Sequence, residues 1–223
     1  MAHYDHVPML SELVRKRIES NIEVKQRLLA DLTLQQLILD VAMQMVRAIR
    51  AQGKVFFFGN GGSAADAQHL AAEFTGRYLK ERGGLPGLAL NANTSALTAI
   101  ANDYGFERIF ARQLEALGRP GDVAVGITTS GNSPNIVQAL QVAKSKSMFS
   151  VAMTGNSGGI VRTVADCTIC IPSSDISRIQ ECHILLGHII CEIVEQVLCG
   201  ERENAQGVSE SQAAFVAAGE SAS

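Results

Sequence analysis

The spacing of apolar positions changes at Gly53. Before it, over residues 9–50, they recur every three to four positions, as in MLSELVRKRIESNIEVKQRLLA and TLQQLILDVAMQMVRAIRAQG. That period predicts two amphipathic helices with a break near Asp31. Beyond Gly53 the apolar residues gather into short continuous runs: KVFFFG, PGLAL, DVAVGIT, FSVAMT and CTICIP. Helical stretches separate them, near 63–80, 94–102, 106–117, 133–147 and 176–199. Continuous apolar strands alternating with helices predict a parallel sheet covered on both faces. The expected organisation is a helical segment over 1–52 and an α/β domain over 53–199. From Gly200 the chain turns polar and rich in small residues (GVSESQAAFVAAGESAS), which predicts a mobile tail over 200–223.

Two strand ends share one form. VFFFGNGGSAADA and AVGITTSGNSPNIVQA both read as strand, small polar loop, helix. Ligands of open α/β sheets bind at the carboxyl ends of strands, so the two loops are candidates for a single site. In the first, Asn60-Gly61-Gly62-Ser63, the glycines permit a tight turn and close backbone approach. Ser63 is placed to cap the helix, whose free N–H groups suit a phosphate. The loop is neither a GKS/GKT P-loop nor GxGxxG, so a plain strand–helix turn explains it equally well. The second loop, Thr128-Thr129-Ser130-Gly131-Asn132-Ser133-Pro134, crowds four hydroxyls into seven residues. Pro134 fits the first helical turn and Ser133 the cap, which needs one hydroxyl. The surplus points to phosphate oxygens, held by hydroxyl and N–H groups because the loop has no lysine or arginine.

His69 and Glu73 stand four residues apart on one helix face. A solvated pair is the ordinary explanation, but Ala65, Ala67, Leu70, Ala71 and Ala72 around them favour a cleft. In the last helix Gln180, His183 and His188 are polar points in an apolar segment. A buried, hydrogen-bonded histidine is the plain reading of either histidine. His188, between Leu185, Leu186, Ile189 and Ile190, needs a partner or stays neutral. Glu73 or a metal would meet that need.

The 223 residues carry a net charge of −3, and no basic stripe suggests nucleic acid or an anionic membrane. The start MAHYDHVPML lacks the cationic and long apolar parts of a signal peptide. The most apolar region, 184–198, is interrupted by His188, Glu192 and Glu195, which argues against a membrane span. A cytoplasmic location is the expectation. Cys167 and Cys170 form a CxxC spacing without a second copy, inside an apolar strand. They read as packing residues rather than as zinc or redox groups.

Taken together, GNGGSAADAQHLAAEFTGRY, AIANDYGF, GDVAVGITTSGNSPNIVQAL and RIQECHILLGHII resemble the sugar isomerase (SIS) domain family and, within it, its heptose-phosphate isomerases. The likeness covers about residues 10–199. It implies a three-layer α/β/α fold and a homotetramer with sites at subunit contacts and one zinc per subunit. By motif match, Ser63, Thr128, Ser130 and Ser133 fall on phosphate-binding positions, with Asn60, Gly61, Gly62 and Thr129 beside them. Asp103 falls on a substrate contact. His69, Glu73, Gln180 and His188 match the zinc and catalytic constellation, with Glu73 and His188 the acid/base pair and Gln180 also near substrate. The implied reaction interconverts sedoheptulose 7-phosphate and D-glycero-D-manno-heptose 7-phosphate through an enediol(ate).

The chain departs from this pattern at Ser177, where some members have an aspartate; Asp175 lies two residues earlier. Gln180 and His188 are also eight residues apart, a helical rise of about 12 Å, whereas zinc–ligand bonds are about 2 Å. Two other readings stay open. A branch of replication-initiator-binding proteins resembles the chain at SAADAQH and LTAIAND but lacks the residues matching Glu73 and His188. A sugar-phosphate-sensing domain would keep the phosphate loops without needing the acid/base pair.

Overall fold

The computed structural model describes residues 7–220, with side chains from 9 to 200. Two helices lead, α1 (Val7–Ala30) and α2 (Leu32–Arg50). The break falls at Asp31, whose carboxylate accepts the Leu34 N–H at 2.9 Å. A side-chain cap thus starts the second helix where the apolar period is interrupted.

Five strands follow: β1 (Val55–Gly59), β2 (Gly87–Ala89), β3 (Val123–Ile127), β4 (Phe149–Gly155) and β5 (Cys167–Ile171). They form one sheet in the order β2-β1-β3-β4-β5, parallel at every pairing. Alternation within each strand divides the core. Val55, Phe57, Val123, Val125 and Val151 pack on one face with α2, α3 (Gly62–Thr75) and α8 (Ile176–Glu220). Phe56, Phe58, Ala124 and Ala152 pack on the other, with α4 (Thr94–Tyr104), α5 (Ala111–Leu117), α6 (Pro134–Ser145) and the short α7 (Val161–Val164). Because both faces are covered, strand residues of either parity are apolar, which produces the unbroken runs seen in the sequence. The result is the expected three-layer α/β/α sandwich.

Three boundaries differ from the sequence-based expectation. α3 ends at Thr75, not near 80. The N–H groups of Tyr78, Leu79 and Lys80 bond to the Glu195 carboxylate instead of to helix carbonyls. The stretch 106–117 is divided into a 3-10 turn (Phe106–Arg108) and α5, with the buried Ile109 and Phe110 at the joint. α8 extends to Glu220. The mobile-tail expectation over 200–223 falls almost wholly on residues whose side chains, and beyond 220 whose backbone, lie outside the described ones.

By length and composition alone, Ile176–Gly200 would cross a membrane, yet half of its apolar window is buried inside this chain. It also carries the buried polar groups of His183 and Glu195. This is the core helix of the sandwich. The cysteines are free, and Cys167 is buried on β5, where burial pushes its thiol up to about 12. A thiol in that state stays protonated and acts as a small apolar side chain.

α8 approaches α3 closely at Gly187. A Cβ there would lie 2.6 Å from Leu70 Cδ2, and Leu70 is itself buried, so it has little room to move aside. Glycine is a poor helix former, so a loss on replacing it reports this contact. Gly187→Val is expected to cost about 1–3 kcal/mol, the usual range for overpacking; urea unfolding at neutral pH measures it.

Candidate active site

The Gly187 contact sets the next residue, His188, beside α3. His188 Nε2 lies 2.8 Å from His69 Nε2, and His69 Nε2 lies 3.2 Å from Glu73 Oε1. One ligand atom from each of the three falls within 4.8 Å of the others. The i, i+4 spacing supplies His69 and Glu73 from one helix face, and α8 supplies the third group. The Glu73 side chain is 21% exposed and that of His69 49% exposed, so the triad opens to solvent on one side. The Tyr78 ring stacks on His188, with centroids 5.6 Å apart and planes inclined at 26°.

Two ring nitrogens facing each other at 2.8 Å share a proton or flank a cation. Bonds of about 2.0–2.1 Å in a tetrahedral arrangement place ligand atoms about 3.3 Å apart. The 2.8 and 3.2 Å separations need only a small adjustment to reach that. A two-histidine, one-carboxylate set with a solvent-facing side also matches the donor chemistry of an open zinc site. These residues therefore fit the expected metal.

Asp66 stands one turn before His69 and is half-buried. Burial raises its pKa, with His69 acting in the opposite sense. Its Oδ2 is buried without a hydrogen-bond partner among the described residues.

The two strand-end loops meet through a pair missed in the sequence. Asn60 Nδ2 donates to Asn135 Oδ1 at 2.9 Å, and Asn135 Nδ2 donates to Asn60 Oδ1 at 2.8 Å. Asn135 is buried at the start of α6. Asn91 similarly brackets the Gly59 peptide, accepting from its N–H and donating to its carbonyl. The ends of β1 and β3 are thus tied together by neutral amides. Their only sequence signal was asparagine beside each loop, which serves ordinary turns just as often.

Ser63 is not the helix cap. α3 starts one residue earlier, with Gly61 at the cap position and φ of 58°, a left-handed conformation that glycine adopts without strain. Ser63 lies in the first turn and is buried. In the second loop, the Thr128 and Ser133 hydroxyls pair at 3.2 Å. Ser133 occupies the cap position of α6, ahead of Pro134, but makes no side-chain cap bond. Ser130 is exposed, and its hydroxyl accepts the Asn132 N–H. Thr129 uses its carbonyl to bind the Gly155 N–H. Gly131 has φ of 70°, and a Cβ there would lie 2.0 Å from the Gly158 carbonyl oxygen; only glycine fits.

Gln180 and Asp103 make other contacts within the chain. The Gln180 amide packs over Gly62, at the start of α3. No hydrogen bond among the described residues joins it to His69, Glu73 or His188. Asp103, on exposed α4 surface, accepts from Asn102. Asp175, near the departure at Ser177, accepts the Ser177 N–H at the start of α8 and lies 3.6 Å from Arg17.

The chain belongs to the SIS domain family, whose model matches residues 21–155. Among its relatives, the phosphoheptose isomerase of Aquifex aeolicus (strain VF5) is 52% identical over 188 residues, covering 84% of this chain and 97% of that one. The solved structure of phosphoheptose isomerase GmhA from Neisseria gonorrhoeae superposes with a TM-score of 0.79 at 42% identity. It covers 84% of this chain and 99% of that one. The phosphoheptose isomerase structure from Francisella tularensis gives 0.80 at 37% identity, over 83% and 97%.

His183 fits the plain reading of a buried histidine. It is 1% exposed and its Nε2 lies 3.2 Å from the Thr154 carbonyl. Burial lowers its pKa to about 4, against the smaller raising effect of that hydrogen bond. The native state therefore keeps the ring neutral while the unfolded chain protonates it near 6.5. Stability contributed by the neutral ring is present above that value and falls as pH drops from about 6.5 towards 4. Between pH 7 and pH 5 this amounts to about 2 kcal/mol. His183→Gln is expected to lose correspondingly less over that interval than the parent chain, as read from urea unfolding at the two pH values.

Proposed function

We propose that this protein is an aldose–ketose isomerase that interconverts sedoheptulose 7-phosphate and D-glycero-D-manno-heptose 7-phosphate. The observation that carries the reading is the convergence of His69, Glu73 and His188 on the α/β domain that bears the hydroxyl loop. A binding or sensing domain needs the loop alone. The match along most of the chain to proteins named phosphoheptose isomerase supports the same choice.

The reaction moves one carbon-bound proton and one oxygen-bound proton. Starting from the ketose, Glu73 takes the proton from C1, beside the C2 carbonyl, and an enediol(ate) forms. Glu73 returns the proton to C2, while His188 transfers the hydroxyl proton from O1 to O2. The C1 oxygen becomes the aldehyde carbonyl. Such a carbon acid is weak and needs both a placed base and charge stabilisation at oxygen. Glu73 presents Oε1 to His69, and Oε2 is the oxygen assigned to the substrate proton. A zinc ion held by His69, Glu73, Gln180 and His188 would supply Lewis-acid polarisation of the substrate oxygens.

Thr128, Ser130 and Ser133, with Ser63 and the Asn60–Gly62 turn, hold the phosphate. Thr129 supports that loop. Phosphate contacts at one end of the substrate supply orientation for chemistry at the other. Gln180, over Gly62, and Asp103 take sugar hydroxyls. The leading helices α1 and α2 pack on the domain and in a homotetramer. The exposed row Leu10, Leu13, Val14, Ile18 and Ile22 on α1 supports such an assembly, as does an apolar groove of about 700 Å³ between α1, α2 and α8. The enzyme works in the cytoplasm, without nucleic acid or membrane.

Glu73→Gln keeps size and removes basicity. Turnover of sedoheptulose 7-phosphate is expected to fall by about 10²-fold or more, while the fold persists. Near-normal kcat would remove Glu73 from the base position. Ser130→Ala is expected to raise KM with a smaller change in kcat, the signature of lost uniform binding. Steady-state kinetics on the same substrate read the split, and an unchanged KM would dissociate Ser130 from the phosphate.

A further inference from the structure

Just outside the triad lies a buried ion pair that the proposed chemistry does not use. Glu195 is 1% exposed. Its carboxylate accepts the N–H groups of Tyr78, Leu79 and Lys80 at 3.0, 2.7 and 2.8 Å, and Arg82 Nε at 2.8 Å. The Arg82 guanidinium then donates to the carbonyls of Glu73 at 2.7 Å, Phe74 at 2.9 Å, and Gly76 and Gly83 at 3.1 Å. Burial alone would raise the Glu195 pKa, but the three N–H donors and Arg82 outweigh it and hold the carboxylate below its ordinary range.

A buried ion pair is a poor device for stability. Desolvation offsets most of the attraction, and well-packed apolar residues often serve as well or better. The places where this pair's bonds end give it another role. One arm runs from Glu195 through Arg82 to the carbonyl of Glu73, closing the last turn of α3, where carbonyls lack helical partners. The other runs from Glu195 to the backbone of Tyr78, whose ring stacks on His188. Glu195 also follows His188 by seven residues, two turns along α8 and on the same face. One carboxylate is therefore linked to both members of the acid/base pair, which come from different helices.

We propose that Glu195, Arg82 and Tyr78 are positioning residues that hold Glu73 and His188 in their working relation. The proposal rests on the acid/base reading given above. Glu195 and Arg82 fix the end of α3 against α8, and Tyr78 limits the orientations open to the His188 ring. None of the three needs to touch the substrate.

Two variants test this. Tyr78→Leu removes the stacked ring but leaves the backbone N–H on Glu195. Glu195→Gln removes the charge that organises the turn. Displacing a reacting group by about 1 Å costs up to 10²-fold, so kcat is expected to fall about 10-fold or more in each. KM should change less, because the hydroxyl loop lies on another strand end. In NMR spectra, the His188 ring protons should lose their ring-current shift in Tyr78→Leu and show part of that change in Glu195→Gln. A purely structural role would lower the melting temperature while kcat at 25 °C and the His188 signals stayed as in the parent, and that result overturns the proposal. If Glu195→Gln does not fold, Tyr78→Leu decides alone, and parental kcat in it sinks the idea. Glu73→Gln is the control. Normal turnover in that variant brings down the acid/base reading and this proposal together. Loss of turnover in it, with both positioning variants fully active, brings down the positioning role only.

Discussion

The close contact between α3 and α8 is what the site depends on. Gly187 brings the two helices together over Leu70, and their sequence neighbours, His188 after Gly187 and His69 before Leu70, face each other as a direct result. A side chain at 187 would press on buried Leu70 and push the two helices apart. The site is thus assembled by core packing. Its polar groups are carried to their positions by apolar ones, whose fit is the stiffest part of the molecule.

The carboxyl edge of the sheet depends on a different kind of restraint. There the chain leaves β1 and β3 through small-residue turns that have little apolar surface to anchor them. Reciprocal amide pairs do the anchoring, between Asn60 and Asn135 and between Asn91 and the Gly59 peptide. Gly131, pressed against the Gly158 carbonyl, ties the second loop to the turn after β4. These are directional restraints with low tolerance for substitution, and they fix the turns at the strand ends in place.

Much of this architecture could be read from the sequence, because burial on both faces writes itself as continuous apolar runs and the helical period is long. The break at Asp31 was legible from the interrupted apolar period and the start of α6 from Pro134. The His69–Glu73 spacing was legible too, since it is local. What could not be read was non-local. Nothing in the spacing shows that Glu195 would draw the N–H groups of residues 78–80 out of a helix, so α3 was expected to run on past Thr75. Asn135 drew no reading of its own, because its partner lies 75 positions away. Ser63 looked like a cap because serine usually is one, but Gly61, free to adopt a positive φ, began the helix sooner. The convergence of His188 on the His69–Glu73 face showed in the sequence only as His188's need for a partner and through the resemblance; the physical cause, a glycine beside a leucine 117 residues away, had no local mark.

Neither loop contains a lysine or an arginine, and this has a kinetic consequence. On the proposed reading that these loops hold the phosphate, a cradle of hydroxyls, amides and backbone dipoles would attract an anion only at short range, so capture would depend little on ionic strength. Isomerisation leaves the phosphate end of a sugar unchanged, and whatever grips the reactant there grips the product equally. A fixed cation would slow departure as much as it aids arrival. A cradle without a fixed cation would avoid that penalty, and it would suit a catalyst that runs in either direction as the two sugars approach equilibrium.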